Sequence, residues 1–253
     1  TPGDPAVAVP YIRALAAAGK TVEAIAAAKR VAVANPGAPA AQLVLGDTLS
    51  AAGRMGEAAD AYARAAATRF DEATMLRLVD ARDRAGQRAQ ASAALSLYLA
   101  QNPTSVAALR LAGQWQVAAG EYAAAIDTLE RLRALIGDRD AAVLAELANA
   151  YAGAGENDVA QDYAAAAYAI APANPVIADA LGWALYGQDN IGAAVPVMAK
   201  AAALAPDHAG IRWHMAQVAA AAGNRAVAVA NAQAALADKG FADRAAAQAL
   251  IAG

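Results

Sequence analysis

The sequence predicts an all-α protein, a solenoid of about seven helical hairpins closed by a C-terminal capping helix, and three observations predict it. Hydrophobic residues make up 59% of the 253-residue chain but aromatics only 5%, so the apolar content is mostly Ala, the strongest helix former; strands would favour β-branched and aromatic residues. A glycine recurs at Gly19, Gly53, Gly86, Gly120, Gly155 and Gly223, in steps of 34, 33, 34, 35 and 68. Five residues beyond each glycine stands an alanine.

The glycine follows one apolar-periodic segment and precedes another, where a left-handed residue ends one helix and turns into the next. Asp189 holds the place at which the glycine is missing and the period continues. The alanines Ala24, Ala58, Ala91, Ala125, Ala160, Ala194 and Ala228 are small enough for the two helices of a hairpin to approach closely. About seventeen residues past the turn, Pro36, Pro103, Pro172 and Pro206 mark the end of second helices, because proline cannot continue one. Phe70, Gly137 and Gly240 hold the equivalent places. The expected hairpins are 5–38, 39–71, 72–105, 106–140, 141–174, 175–208 and 209–242, with a cap over 243–253. Each buries its apolar face on its neighbours, so one solenoid over 1–253 with no internal linker is expected.

The formal charge is −3, from 20 basic and 23 acidic side chains with the signs interspersed. Nucleic acid requires clustered Lys and Arg and is therefore not an expected partner. There is no Cys, hence neither a disulfide nor a thiolate metal site. Mean hydropathy is +0.28, yet polar residues interrupt every stretch approaching the roughly 20 apolar residues that span a bilayer. The opening Thr1-Pro2-Gly3-Asp4-Pro5 has neither a basic n-region nor an apolar h-region, so any export signal or anchor is expected to have been removed or to lie outside these residues.

Catalysis needs converging polar groups of tuned pKa, and the candidates are few. His208 and His214 are six apart, whereas a metal-binding pair on a helix wants a spacing near four; both read as partly exposed polar side chains. The glycines sit at hairpin turns and not between a strand and a helix, so no phosphate loop is implied. Asp80 and Asp83 lie among Arg77, Arg82 and Arg84 and read as solvated ion pairs. Neither an enzyme nor a cofactor is expected.

The period, the paired helices and the small-residue signature resemble the tetratricopeptide repeat over nearly the whole chain. That family's Leu-Gly pair stands as Leu45-Gly46 and Leu181-Gly182, and in part as Ala112-Gly113; its later aromatic stands only as Tyr62. The resemblance implies a right-handed superhelix whose concave groove is lined by the first helix of each hairpin and holds a protein or peptide. Carried over, its ninth place gives Asp47, Asp80, Gln114, Asn149, Trp183 and Gln217; its fifth gives Asp179 and Trp213, and its twelfth Asp83 and Tyr186. The expected groove is acidic toward the N-terminus, through Asp47, Asp80 and Asp83, and aromatic toward the C-terminus, through Trp183, Tyr186 and Trp213. Large aromatics with polar neighbours serve as peptide anchors or sugar platforms; the alternative is that they fill space where the last hairpins and the cap close the solenoid. The carboxylate clamp of chaperone-docking members uses Lys and Asn, of which only Asn149 is present.

The run Ala178 to Tyr186, then Ala205-Pro206-Asp207, Ile211 to Ala216 and the tail Phe241 to Leu250 is similar to the end of large tetratricopeptide proteins of bacterial exosortase (PEP-CTERM) exopolysaccharide systems. This resemblance implies a scaffold in an envelope or exopolysaccharide assembly, in the periplasm or at the outer membrane of a Gram-negative bacterium. Two alternatives stand beside it: direct glycan binding by the aromatic zone, and a cytoplasmic co-chaperone or regulatory adaptor.

Overall fold

A computed structural model describes the backbone over 5–253 and side chains from residue 8 onward; Thr1 to Asp4, read above for an export signal, lie outside the described residues. Among them the chain forms fifteen α-helices and no strand. The chain divides into two compact units, Thr1–Ala108 and Leu109–Gly253.

The first unit holds α1 (Pro5–Ala17), α2 (Thr21–Ala34), α3 (Pro39–Ala51), α4 (Met55–Thr68), α5 (Glu72–Arg84) and α6 (Arg88–Gln101), each packed on the one before it. The boundary falls in α7 (Val106–Ala118). The second unit continues with α8 (Tyr122–Ile136), α9 (Ala141–Gly153), α10 (Asn157–Ile170), α11 (Pro175–Gly187), α12 (Ile191–Leu204), α13 (Ala209–Ala221), α14 (Arg225–Leu236) and the cap α15 (Arg244–Ala252). From α9 to α15 each helix again packs on its predecessor, while α9, α11 and α13 also touch one another in sequence. Those three form one continuous face.

The turns follow from backbone sterics. The six periodic glycines take φ between 73° and 84°, and Asp189 takes φ 59° in the seventh turn; Asp is among the few non-glycine residues that tolerate this region. All seven alanines five residues later are at most 1% exposed. Gly46, Gly113 and Gly182 lie beneath the large side chains Tyr62, Leu129 and Met198 of the following helix, so an added Cβ would collide with each. A missing side chain on one helix is thus filled by a bulky one on its partner, which keeps packing close to interior density.

Where both helices carry alanine at this place, aromatics fill the gap. In the hairpin α9–α10 these are Ala148 and Ala164, both buried, with Tyr151 and Tyr163 packed against them. The two rings stack 5.5 Å apart, and both hydroxyls donate to Oε1 of Glu130 on α8, Tyr163 at 2.5 Å and Tyr151 at 3.2 Å. Arg133 Nε donates to the other oxygen at 2.8 Å. Burial raises the carboxyl's pKa, but the hydrogen bonds from Tyr163, Arg133 and Tyr151 outweigh it and hold Glu130 below the usual carboxylate range. Because the folded value lies below the unfolded one, Glu130 contributes stability above about pH 4 that is lost as pH falls through its folded pKa. Glu130→Ala leaves two half-buried hydroxyls without their acceptor and is expected to cost about 1–2 kcal/mol. Urea denaturation at pH 7 and pH 3 checks this: the difference from wild type should shrink at the lower pH.

Candidate functional site

The residues expected to line a groove meet different fates in the two units. In the first unit every expected carboxylate has an arginine. Asp47 Oδ1 accepts from Arg77 Nε at 3.0 Å and from the Tyr62 hydroxyl at 2.8 Å. Asp80 pairs with Arg84 at 3.5 Å, and Asp83 accepts from Arg88 Nη1 at 2.6 Å. The expected acidic zone is therefore compensated by its own cations. These pairs are solvated and each contributes little to stability, but together they cancel the field that an acidic surface would present.

In the second unit Gln114 donates to Glu146 Oε1 at 2.8 Å across α7 and α9. The other oxygen of Glu146 is buried without a partner, and burial pushes this carboxyl above the usual range against the hydrogen bond from Gln114. Arg110, one turn before Gln114, donates to Asp140 at 2.6 Å.

The face of α9, α11 and α13 carries the cluster. Asp179 on α11 receives His214 of α13, whose Nδ1 lies 3.0 and 2.9 Å from the two carboxylate oxygens. A ring nitrogen facing two acceptors must carry the proton, so in the neutral ring Nε2 is left as an acceptor. Nε2 has no partner among the described residues. The imidazole stacks on Trp183 at 4.2 Å and 19°, and Trp183 in turn meets Tyr186, one turn along α11, at 5.1 Å. Both aromatics are half-buried, packed at one side on the core formed by α11, α12 and α13. Asn149 on α9 and Gln217 on α13 hold the places equivalent to Trp183, each half-buried. Neither side chain makes a hydrogen bond within the described residues.

Trp213 departs from the expected groove. It is 9% exposed and packs with Phe241, Ala232, Ala235 and Ala247, its ring 6.2 Å from that of Phe241. The reason is the cap: α13 and α14 pair Ala216 with Ala232, and the space this leaves is closed by Trp213 from one side and by Phe241 and α15 from the other. The space-filling reading therefore holds for Trp213, while Trp183 and Tyr186 keep surface.

His214 was not among the expected site residues. The signal available is its separation of 35 from Asp179, one repeat plus one residue, which sets the two side by side on neighbouring first helices. His208, the other histidine, caps α13 by accepting from the backbone N–H of Ile211 at 3.3 Å, a structural use. No group of three metal-ligating side chains occurs among the described residues, and no described helix is long and apolar enough to cross a membrane.

No protein-family model matches the sequence, and no curated protein does. Solved structures do. A tetratricopeptide repeat protein from Parabacteroides merdae is similar over 98% of this chain and 97% of its own, at 15% identity and a TM-score of 0.75. The C-terminal part of a repeat-containing protein from Cytophaga hutchinsonii is similar over 94% and 98%, at 17% identity and a TM-score of 0.63. A chain of the Cut9–Hcn1 hetero-tetramer of the APC/C is similar over 95% of this chain and 47% of its own, at 15% identity and a TM-score of 0.67. At these identities the likeness shows the fold: this chain has the fold of the tetratricopeptide repeat proteins, a class of helical-hairpin solenoids.

Proposed function

We propose that the protein is a non-catalytic scaffold that holds a protein partner against the face of α9, α11 and α13. The observation that carries this is the half-exposed cluster of Trp183, Tyr186 and His214, fixed by Asp179 and flanked by two side-chain amides with no partner of their own. Rigid aromatics beside unsatisfied polar groups are the composition of interface anchors. The tetratricopeptide fold supports the reading by analogy, as does the Cut9–Hcn1 chain, which is found in a hetero-tetramer. The resemblance of the C-terminal third to exosortase-system proteins supports an envelope or exopolysaccharide assembly as the setting, in the periplasm or at the outer membrane.

The alternatives fare less well on this face. The glycan alternative rested on an aromatic zone of Trp183, Tyr186 and Trp213, and Trp213 belongs to the core. A co-chaperone that docks a peptide's terminal carboxylate needs cations here, and the face presents Asp179 instead.

Pull-down from the native host with wild type and Trp183→Ala tests the proposal. The expected result is a partner captured by wild type and lost with the variant; a partner retained equally by both removes this face from the function. Fractionating the same host tests the setting, which recovery of the protein in the cytosol would overturn.

A further inference from the structure

We infer that the face around Trp183 receives a cationic side chain, an arginine or lysine presented by the protein partner; this rests on the scaffold reading above. The cluster holds a carboxylate and, among the described residues, no Lys or Arg paired with it. Among the described residues Asp179 has His214 as its one partner and no Lys or Arg within ion-pair distance. His214 directs Nδ1 at Asp179 and lays its ring on Trp183, which holds both side chains in place. Trp183 and Tyr186 add π faces, to which guanidinium and ammonium groups are attracted. Asn149 and Gln217 each bring an amide oxygen that can accept from the same guest, one from either neighbouring helix.

The contrast with the first unit strengthens the point. There Asp47, Asp80 and Asp83 meet Arg77, Arg84 and Arg88 of the same chain. In the second unit the comparable carboxylate has no such cation, and the basic side chains nearby are engaged elsewhere. Arg212 of α13 donates to Pro206 O at 2.8 Å and to Asn231 at 2.9 Å. Lys200 of α12 donates to the Tyr168 hydroxyl at 2.8 Å and lies 4.9 Å from that ring's centre. Arg225 and Arg244 donate to backbone carbonyls around the cap. Among the described residues an anionic guest would find no Lys or Arg paired with Asp179 beside Trp183, whereas a cationic one would meet its carboxylate. Asp179 is also only 14% exposed, so its attraction is less screened than that of a surface carboxylate.

The test is a titration of the whole protein with short Ala/Gly peptides carrying arginine, citrulline or glutamate, following the indole N–H signals of its tryptophans by NMR. Citrulline keeps the shape of arginine without its charge. The arginine peptide is expected to move the Trp183 signal and to bind about tenfold more tightly than the citrulline peptide, with Asp179→Asn removing most of that difference. Melting curves establish that the variant is folded. Equal affinity for arginine and citrulline, or an arginine preference unchanged by Asp179→Asn, overturns the inference. So does an arginine peptide that leaves Trp183 unmoved at about 1 mM. The scaffold reading fails separately: charge-independent binding that is still lost in Trp183→Ala keeps the face and discards the cation, whereas a captured partner indifferent to Trp183→Ala discards the face itself.

Discussion

Trp213→Ala is expected to destabilise the C-terminal end by about 3–5 kcal/mol, the cost of emptying a large aromatic site in a core that cannot collapse. The surrounding residues are Ala216, Ala232, Ala235 and Ala247, whose short side chains cannot swing inward to fill the void. Phe241 would lose its ring contact at 6.2 Å, and with it the packing that seats α15. In a repeat array each unit is held chiefly by its neighbours, so the loss should be local before it is global. Hydrogen exchange of the α15 amides should accelerate strongly, with α9 to α12 little changed, and a first, smaller transition should separate in urea. Trp183→Ala is the internal comparison. Its ring is half-buried and leans on His214 and Tyr186, so the expected loss is about 1–2 kcal/mol without release of the cap. Slow, unchanged exchange in α15 of Trp213→Ala would show that Phe241 holds the cap without the tryptophan.

The two tryptophans also mark where the sequence is legible and where it is not. Helix positions were readable because a backbone requirement repeats: each hairpin needs one left-handed residue and one alanine-sized contact, and both recur every 34 residues or so. The substitution at Asp189 was readable for the same reason, since the period demands a turn there. Exposure within a helix was not readable. The fifth place of the repeat holds the exposed Leu76 in one hairpin, the nearly closed Asp179 in another and the buried Trp213 in a third, and the ninth holds the open Asp47, Asp80 and Gln114 but the half-buried Asn149, Trp183 and Gln217, so a place in the repeat does not set exposure. Closure of Trp213 further depends on Phe241, in the connection after α14, and on the cap α15, which has no periodic counterpart.

The charge pattern was legible only in part: Asp80 and Asp83 read as solvated ion pairs and are ion-paired, whereas the partner of Asp47 was not visible. Arg84 lies four residues from Asp80 and was within reach of a local rule. Arg77 reaches back 30 residues to Asp47, across the interface between repeats, and the pairing depends on side-chain direction, which a linear reading does not contain. His214 and Asp179 meet by the same kind of inter-repeat contact. The residues that compose the candidate site were therefore mostly visible as types and places, while the bonds that decide its charge were not.

Gly46→Ala sets helix propensity against packing, and packing is expected to win. In a helix interior alanine is favoured over glycine by about 1 kcal/mol. At Gly46, however, the new Cβ would overlap the ring of Tyr62, which is 3% exposed and pinned through its hydroxyl to Asp47 at 2.8 Å. A rigid ring tethered at its far end cannot retreat without breaking that bond, so overpacking of about 1–3 kcal/mol should dominate. Gly182→Ala meets Met198 instead, with Cγ 2.7 Å and Sδ 3.0 Å from the added carbon. Methionine can re-route its chain, and the two terms should nearly cancel. Gly56→Ala meets nothing within 4 Å and should gain stability from propensity alone, by up to about 1 kcal/mol. Urea midpoints should therefore rank Gly56→Ala above Gly182→Ala above Gly46→Ala, and in a Tyr62→Ala background, which copies the Ala148–Ala164 pairing, Gly46→Ala should no longer cost stability. If Gly46→Ala proved as stable as Gly56→Ala, the Tyr62 ring would have to be free to move, and the small-against-large pairing of helices would not be what fixes their spacing.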